Sequence, residues 1–147
     1  MKSSLTLSEF LPYQINRLAE RASRSLATVY ADRFGISVAQ WRIVATLHER
    51  PALTARDVAD STNLDKVKVS RSVGDLIERG FVSRKNSQKD ARASELSLTT
   101  RGERLFTSIE PLALEWEARF LSSLSAAEQT SLRGLLSRIE VQDRYEY

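Results

Sequence analysis

Cysteine is absent from the 147 residues. That excludes disulfides, thiolate nucleophiles, iron–sulfur clusters and cysteine-based redox switches. Histidine occurs once, as His48, and one imidazole does not make a histidine-based metal site. As the base of a hydrolase triad it would need a matching serine, and the chain has no G-x-S-x-G elbow. Glycine is scarce, with 5 residues, and none forms a phosphate-cradling loop or a dinucleotide fingerprint. No catalytic constellation, metal site or cofactor is therefore expected, and the chain does not read as an enzyme. No run approaches the ~20 apolar residues that cross a bilayer. The opening MKSSLTLSEF has a single Lys and no apolar stretch, so neither a secretory signal nor a membrane partner is expected, and the chain reads as cytoplasmic.

What is present is a globular composition, 41% hydrophobic and 28% charged, sized for a single domain over residues 1–147. The net charge is +3, and its distribution is uneven. Between Thr62 and Arg92 stand eight basic residues against four acidic ones, while the rest of the chain is nearly balanced. A neutral body with one basic segment points to a polyanion-binding element, although a solvated charged face has the same composition.

Capping signals divide the chain into helices. Leu11 to Phe34 is a long amphipathic segment stopped by Gly35. Ser37-Val38-Ala39-Gln40 is a capping box for a helix reaching about Glu49, which Pro51 ends. Thr54 and Asp57 cap a short helix from Ala55 to about Ser61. Asp65 or Asn63 caps another that runs to Arg79 and stops at Gly80. The period then changes. Phe81 to Lys85 and Ser94 to Leu98 read as two strands around a polar tip, Asn86 to Ala91. Thr100–Glu103 and Ser125–Glu128 are further capping boxes, each opening an amphipathic helix. Helix, short helix, helix and hairpin in about sixty residues spell a mainly α protein with a winged helix-turn-helix at 36–100 and a two-stranded β wing.

On a helical wheel, Val69, Val73, Leu76 and Ile77 fall on one side of the 65–79 helix. Val67, Lys68, Arg71, Gly74, Asp75 and Glu78 fall on the other, with Ser70 at the flank and Lys66 in the first turn. Lys68 and Arg71 suit the O6/N7 acceptor pair of guanine, Val67 suits a thymine methyl, and Lys66 reaches a phosphate. Asp75, four residues from both Arg71 and Arg79, is placed to orient either guanidinium. In the wing, Arg84, Lys85, Lys89 and Arg92 are candidate phosphate or minor-groove contacts, with Asp90 placed to hold Arg92 outward. The mid-helix Gly74 faces outward, which leaves close approach to a duplex or simple drift as its explanations.

The runs Gln40-Trp41-Arg42-Ile43, Val69-Ser70-Arg71-Ser72-Val73, Leu76-Ile77-Glu78-Arg79-Gly80, Asp90-x-Arg92 and Leu98-Thr99-x-x-Gly102 resemble the MarR (multiple antibiotic resistance regulator) family over residues 10–140. Gly74 departs from the larger residue usual there. The resemblance implies a homodimeric, sequence-specific regulator of double-stranded DNA with a pseudo-palindromic operator, usually a repressor released by a small aromatic or phenolic ligand. It implies dimerisation through the terminal helices, here 5–34 and 101–142. Leu5, Phe10, Leu11, Ile15, Leu112, Trp116, Phe120, Leu132, Leu135 and Leu136 on those helices provide apolar surface that wants a partner. Family pockets lie between the dimer helices and the winged module. Arg17, Arg21, Trp41, Arg42 and His48 are the candidates for lining one, where an arginine beside an aromatic wall suits an aromatic carboxylate. The same residues also admit structural roles, with Trp41 in the core, Arg42 in an ion pair and His48 at a helix end. An effector-independent architectural protein and a protein–protein adaptor remain the alternative functions.

Overall fold

The computed structural model describes residues 4–90 and 92–143, which fall into two compact units divided between Leu112 and Ala113. Ala91 of the expected wing tip and the outermost ends of the expected 1–147 domain lie outside the described residues.

In the first unit a short 3₁₀ turn, Leu7–Glu9, leads into α1, Leu11–Phe34, which takes Pro12 in its first turn. Gly35 ends α1 in the left-handed region at φ 63°, its N–H shared between the carbonyls of Ala31 and Tyr30. Helix α2, Val38–Glu49, opens on the expected capping box. Ser37 Oγ accepts from the Gln40 N–H at 3.1 Å, and Gln40 Oε1 accepts from the Ser37 N–H at 3.0 Å. After Pro51 the chain turns through Ala52 at φ 66° into a two-residue strand β1, Leu53–Thr54.

Helix α3, Ala55–Thr62, is capped by Thr54, and its Asp57 carboxylate accepts from the Thr54 hydroxyl at 2.8 Å and N–H at 3.0 Å. Those hydrogen bonds hold the Asp57 carboxyl below its ordinary range. Asn63 ends α3 in the left-handed region, and so does not cap the next helix. Asp65 does, accepting from the Lys68 N–H at 2.8 Å at the head of α4, Lys66–Glu78.

Strands β2, Val82–Asn86, and β3, Ser94–Leu98, pair antiparallel with Val82 opposite Leu98 and Arg84 opposite Leu96. The expected two-stranded wing is present, and β1 extends it to a three-stranded sheet by pairing along the other edge of β3, Leu53 opposite Leu96. Two residues are too few to display a period-two pattern, so this strand leaves no mark in the sequence. Helix α5, Thr100–Phe120, is capped one residue earlier than its sequence box indicates. Thr99 Oγ1 accepts from the Gly102 N–H at 3.1 Å and donates to the Gly80 carbonyl at 2.6 Å, tying the start of α5 to the end of α4.

The core of this unit gathers Tyr30, Ile36, Ile43, Leu47, Val58 and Leu96, with the inner stripe of α4, around the sheet. At Ala52 a side chain occupies a backbone conformation that suits glycine. Ala52→Gly is expected to stabilise the fold by about 1 kcal/mol, read from thermal or urea unfolding. An unchanged midpoint would mean that the turn relaxes at no cost.

The second unit holds the end of α5 and α6, Ala126–Asp143, which opens on the expected Ser125–Glu128 box with bonds of 2.7 and 3.2 Å. Within it Arg133 pairs with Glu117 at 2.8 Å, and the rings of Trp116 and Phe120 stack with centroids 4.8 Å apart. Among the described residues no helix is long and apolar enough to cross a membrane.

Candidate nucleic-acid interface

Helix α4 is amphipathic in the way its sequence indicates. Val69, Val73 and Leu76 are buried, and Ile77 packs beside them. Lys66, Val67, Lys68, Ser70, Arg71 and Gly74 are exposed. Val67, 60% exposed, stands out because every other large exposed apolar side chain among the described residues lies outside 36–100. An apolar side chain kept in water on the outer face of α4 is available to a base methyl.

Asp75 does not serve Arg71. Its carboxylate lies 3.6 Å from Arg79 and accepts a short hydrogen bond from Gln40 Nε2. Arg79 in turn donates to the Gly35 carbonyl at 2.8 Å and the Phe34 carbonyl at 3.1 Å, and its guanidinium lies over the Phe81 ring. The C-terminal half of α4 is thereby clamped to the corner between α1 and α2, which fixes the pitch at which its exposed face is presented. Sequence spacing offers Asp75 to Arg79, but the Gln40 arm of the clamp is missed because Gln40 and Asp75 are 35 positions apart. The local traces are the i, i+4 spacing of Asp75 and Arg79 and the capping-box glutamine, whose oxygen caps its own helix while its nitrogen reaches α4.

At Gly74 a Cβ would meet nothing within 4 Å. Gly74→Ala is therefore expected to stabilise the protein by about 1 kcal/mol through helix propensity alone, measured by thermal unfolding. If DNA affinity is untouched in that variant, close approach of a duplex at Gly74 is ruled out.

In the wing, Arg84 and Lys85 are exposed on β2, and Lys89 and Arg92 are exposed at the tip. Asp90 acts on the backbone rather than on a guanidinium, its Oδ1 accepting from the Arg92 N–H at 2.9 Å. Ser87 Oγ accepts from the N–H groups of Lys89 and Asp90 and donates to Glu95 at 2.9 Å, so the tip is shaped by its own polar side chains.

The five residues considered for an effector separate into different surroundings. Trp41 stacks with both Tyr30 and Phe106, each at 5.7 Å between centroids. His48 stacks on Phe106 at 3.8 Å and its Nδ1 lies 2.6 Å from Glu103 Oε2. These rings join α1, α2 and α5. Burial raises the Tyr30 phenol above its ordinary value, against a smaller opposing effect of the Arg42 charge. Arg42 itself is exposed and donates to Ser23 Oγ at 3.3 Å. It borders a cleft of about 560 Å³ shared with Lys68 and Arg71, and a second of about 430 Å³ shared with Glu20, Ser23 and Arg24. Arg17 and Arg21 are exposed on α1 and line neither cleft.

A three-helix module closed by a β wing, with cations on the outer face of its third helix and along the wing, defines a winged helix-turn-helix DNA-binding protein. A family model described as the MarR family matches residues 34–93. The HTH-type transcriptional regulator BilQ of Clostridium symbiosum is 33% identical over 105 residues, covering 71% of this chain and 73% of that one. The crystal structure of a MarR/EmrR family transcriptional regulator from Acinetobacter sp. ADP1 is 28% identical with a TM-score of 0.87, covering 96% of this chain and 99% of that one. The fold is shared as well by BpsR of Bordetella bronchiseptica, at 21% identity and a TM-score of 0.84, covering 94% of this chain and 98% of that one. The chain belongs to the MarR family of transcriptional regulators, and these relatives are regulators rather than enzymes.

Proposed function

We propose that the protein is a cytoplasmic, homodimeric repressor that binds a pseudo-palindromic double-stranded DNA site and is released by a small aromatic carboxylate or phenol. The observation that carries the DNA reading is the outer face of α4, where Val67, Lys68 and Arg71 are exposed opposite a fully buried stripe. In this reading Arg71 and Lys68 meet guanine edges and Val67 a thymine methyl. Lys66, Ser70, Arg84, Lys85, Lys89 and Arg92 hold phosphates or the minor groove.

Homodimerisation is supported by apolar side chains left in water on the terminal helices. These include Leu11 and Ile15 on α1, with Leu5 exposed ahead of it outside any helix, and Leu132, Leu135 and Leu136 on α6. Surface of this kind at the two termini, outside the DNA module, fits a two-fold pairing that sets two α4 helices about 34 Å apart. The effector reading is supported by membership of the family and by the likeness to BpsR, whose DNA binding is regulated by 6-hydroxynicotinic acid. Trp41, His48, Arg17 and Arg21 are the side chains proposed to contact an effector here.

The test is fluorescence anisotropy with a duplex from the region upstream of the protein's own coding sequence and a scrambled duplex, across roughly 50–200 mM salt. Preference for the first, with affinity falling steeply as salt rises, is the expected result. Equal affinity for both would indicate an architectural protein, and no binding an adaptor. Sedimentation equilibrium reads the dimer directly, and a monomer mass would remove the two-fold site.

A further inference from the structure

The cleft bordered by both α2 and α4 brings Arg42 beside the proposed base-reading residues, a neighbourhood that its sequence position does not reveal. Its walls carry three cations, Arg42, Lys68 and Arg71, with the hydroxyl-bearing Ser37 and Ser72. The carboxylate in its lining is that of Asp65, whose Oδ1 is engaged by the Lys68 N–H. An excess of positive charge collects in an open groove continuous with the exposed face of α4, since Val67, Lys68 and Arg71 belong to both. The Arg42 guanidinium gives one long hydrogen bond to Ser23 Oγ, at 3.3 Å. Four of its five N–H donors are not used in that bond, and their planar fork matches two oxygens of a phosphate. Ser37 Oγ accepts from the Gln40 N–H and keeps its own proton to donate.

We propose that this cleft seats a backbone phosphate of the DNA strand bordering the groove entered by α4, with Arg42 as its principal ligand and Ser37 as a second donor. Arg42 is thereby moved from the effector residues to the DNA-contacting ones. A duplex resting its bases against Arg71 and Lys68 brings one strand across the mouth of the cleft, and the phosphate is the anionic group that every such duplex carries. The proposal rests on the DNA-binding reading given above. It adds a contact that holds position without reading sequence.

The experiment measures affinity for the upstream and scrambled duplexes from about 50 to 200 mM salt, for the wild type, Arg42→Gln and Arg42→Lys. A homodimer carries Arg42 twice, so the variant loses two phosphate contacts, which reduces the salt slope by about two and corresponds to roughly thirtyfold in affinity at physiological salt. Arg42→Gln is expected to show that loss equally on both duplexes, leaving their ratio unchanged, and Arg42→Lys to restore the slope. Because Arg42 is exposed, both variants are expected to keep the wild-type unfolding midpoint, which a structural role for the side chain would lower.

A full wild-type slope in Arg42→Gln, or a loss confined to one duplex, overturns the proposal while leaving the DNA reading intact. Absence of wild-type binding overturns both. Benzoate titrated into the DNA-free protein and followed by tryptophan emission separates the other source of an anion. Binding that Arg42→Gln abolishes, together with an unchanged salt slope, assigns the cleft to a small carboxylate and overturns the phosphate assignment.

Discussion

Gly102→Ala is expected to be the most destabilising single-methyl change in the first unit, costing about 3 kcal/mol and lowering the unfolding midpoint by about 10 °C. A Cβ at this position would lie 2.1 Å from the Phe81 carbonyl oxygen and 3.2 Å from Leu98 Cδ2. The obstacle is backbone, and that backbone is held. Phe81 O accepts from the Thr99 N–H at 3.0 Å, and Thr99 also ties α5 to Gly80. Relief of the clash therefore breaks the joint between the wing and α5. Differential scanning calorimetry reads the shift, and a change under about 1 kcal/mol would show that the α5 start slides away freely. Gly74→Ala is the natural control, being the same chemical change at an open helical position.

Arg71→Ala is expected to weaken sequence-specific binding by about 1–3 kcal/mol and to relax base preference at one position in each half-site. Binding measured against duplexes carrying every base at each position reads both effects, and an undiminished preference would remove Arg71 as a base reader. Arg92→Ala supplies the contrast. It sits at the wing tip, away from the α4 face, and is expected to weaken binding to all sequences alike with a shallower salt dependence. A loss restricted to one sequence would make Arg92 a reader in its own right.

The helices are legible because their boundaries are written in local chemistry. Ser37 with Gln40, Thr54 with Asp57 and Ser125 with Glu128 each form the box that their spacing indicates, and Gly35 takes the left-handed stop. The amphipathic stripe of α4 is legible for the same reason, since a helical period needs only about a dozen residues to declare itself.

What escapes the sequence depends on pairings distant along the chain. Strand β1 exists because β3 offers it an edge, and Leu53–Thr54 alone carries no period. Thr99 displaces Thr100 as the cap of α5 because its hydroxyl has a second partner in Gly80, 19 residues earlier. The Gln40–Asp75–Arg79 clamp is half visible, in that the spacing offers Asp75 a choice between two arginines. Packing of α4 against the α1–α2 corner makes that choice. Among the candidate site residues, the exposed face of α4 is readable, whereas the surroundings of Arg42, Trp41 and His48 depend on which helices pack beside them.

The order β1-β3-β2 leaves β2 with one unpaired edge. Such an edge invites a strand from another molecule, and folded proteins discourage it with long charged side chains. Arg84 and Lys85 occupy that strand and are exposed. The cations proposed to grip phosphate thus also keep copies of the sheet from adding to one another. Variants that replace both with apolar residues are consequently expected to lose solubility as well as DNA affinity, whereas replacement by glutamine or glutamate separates the two roles.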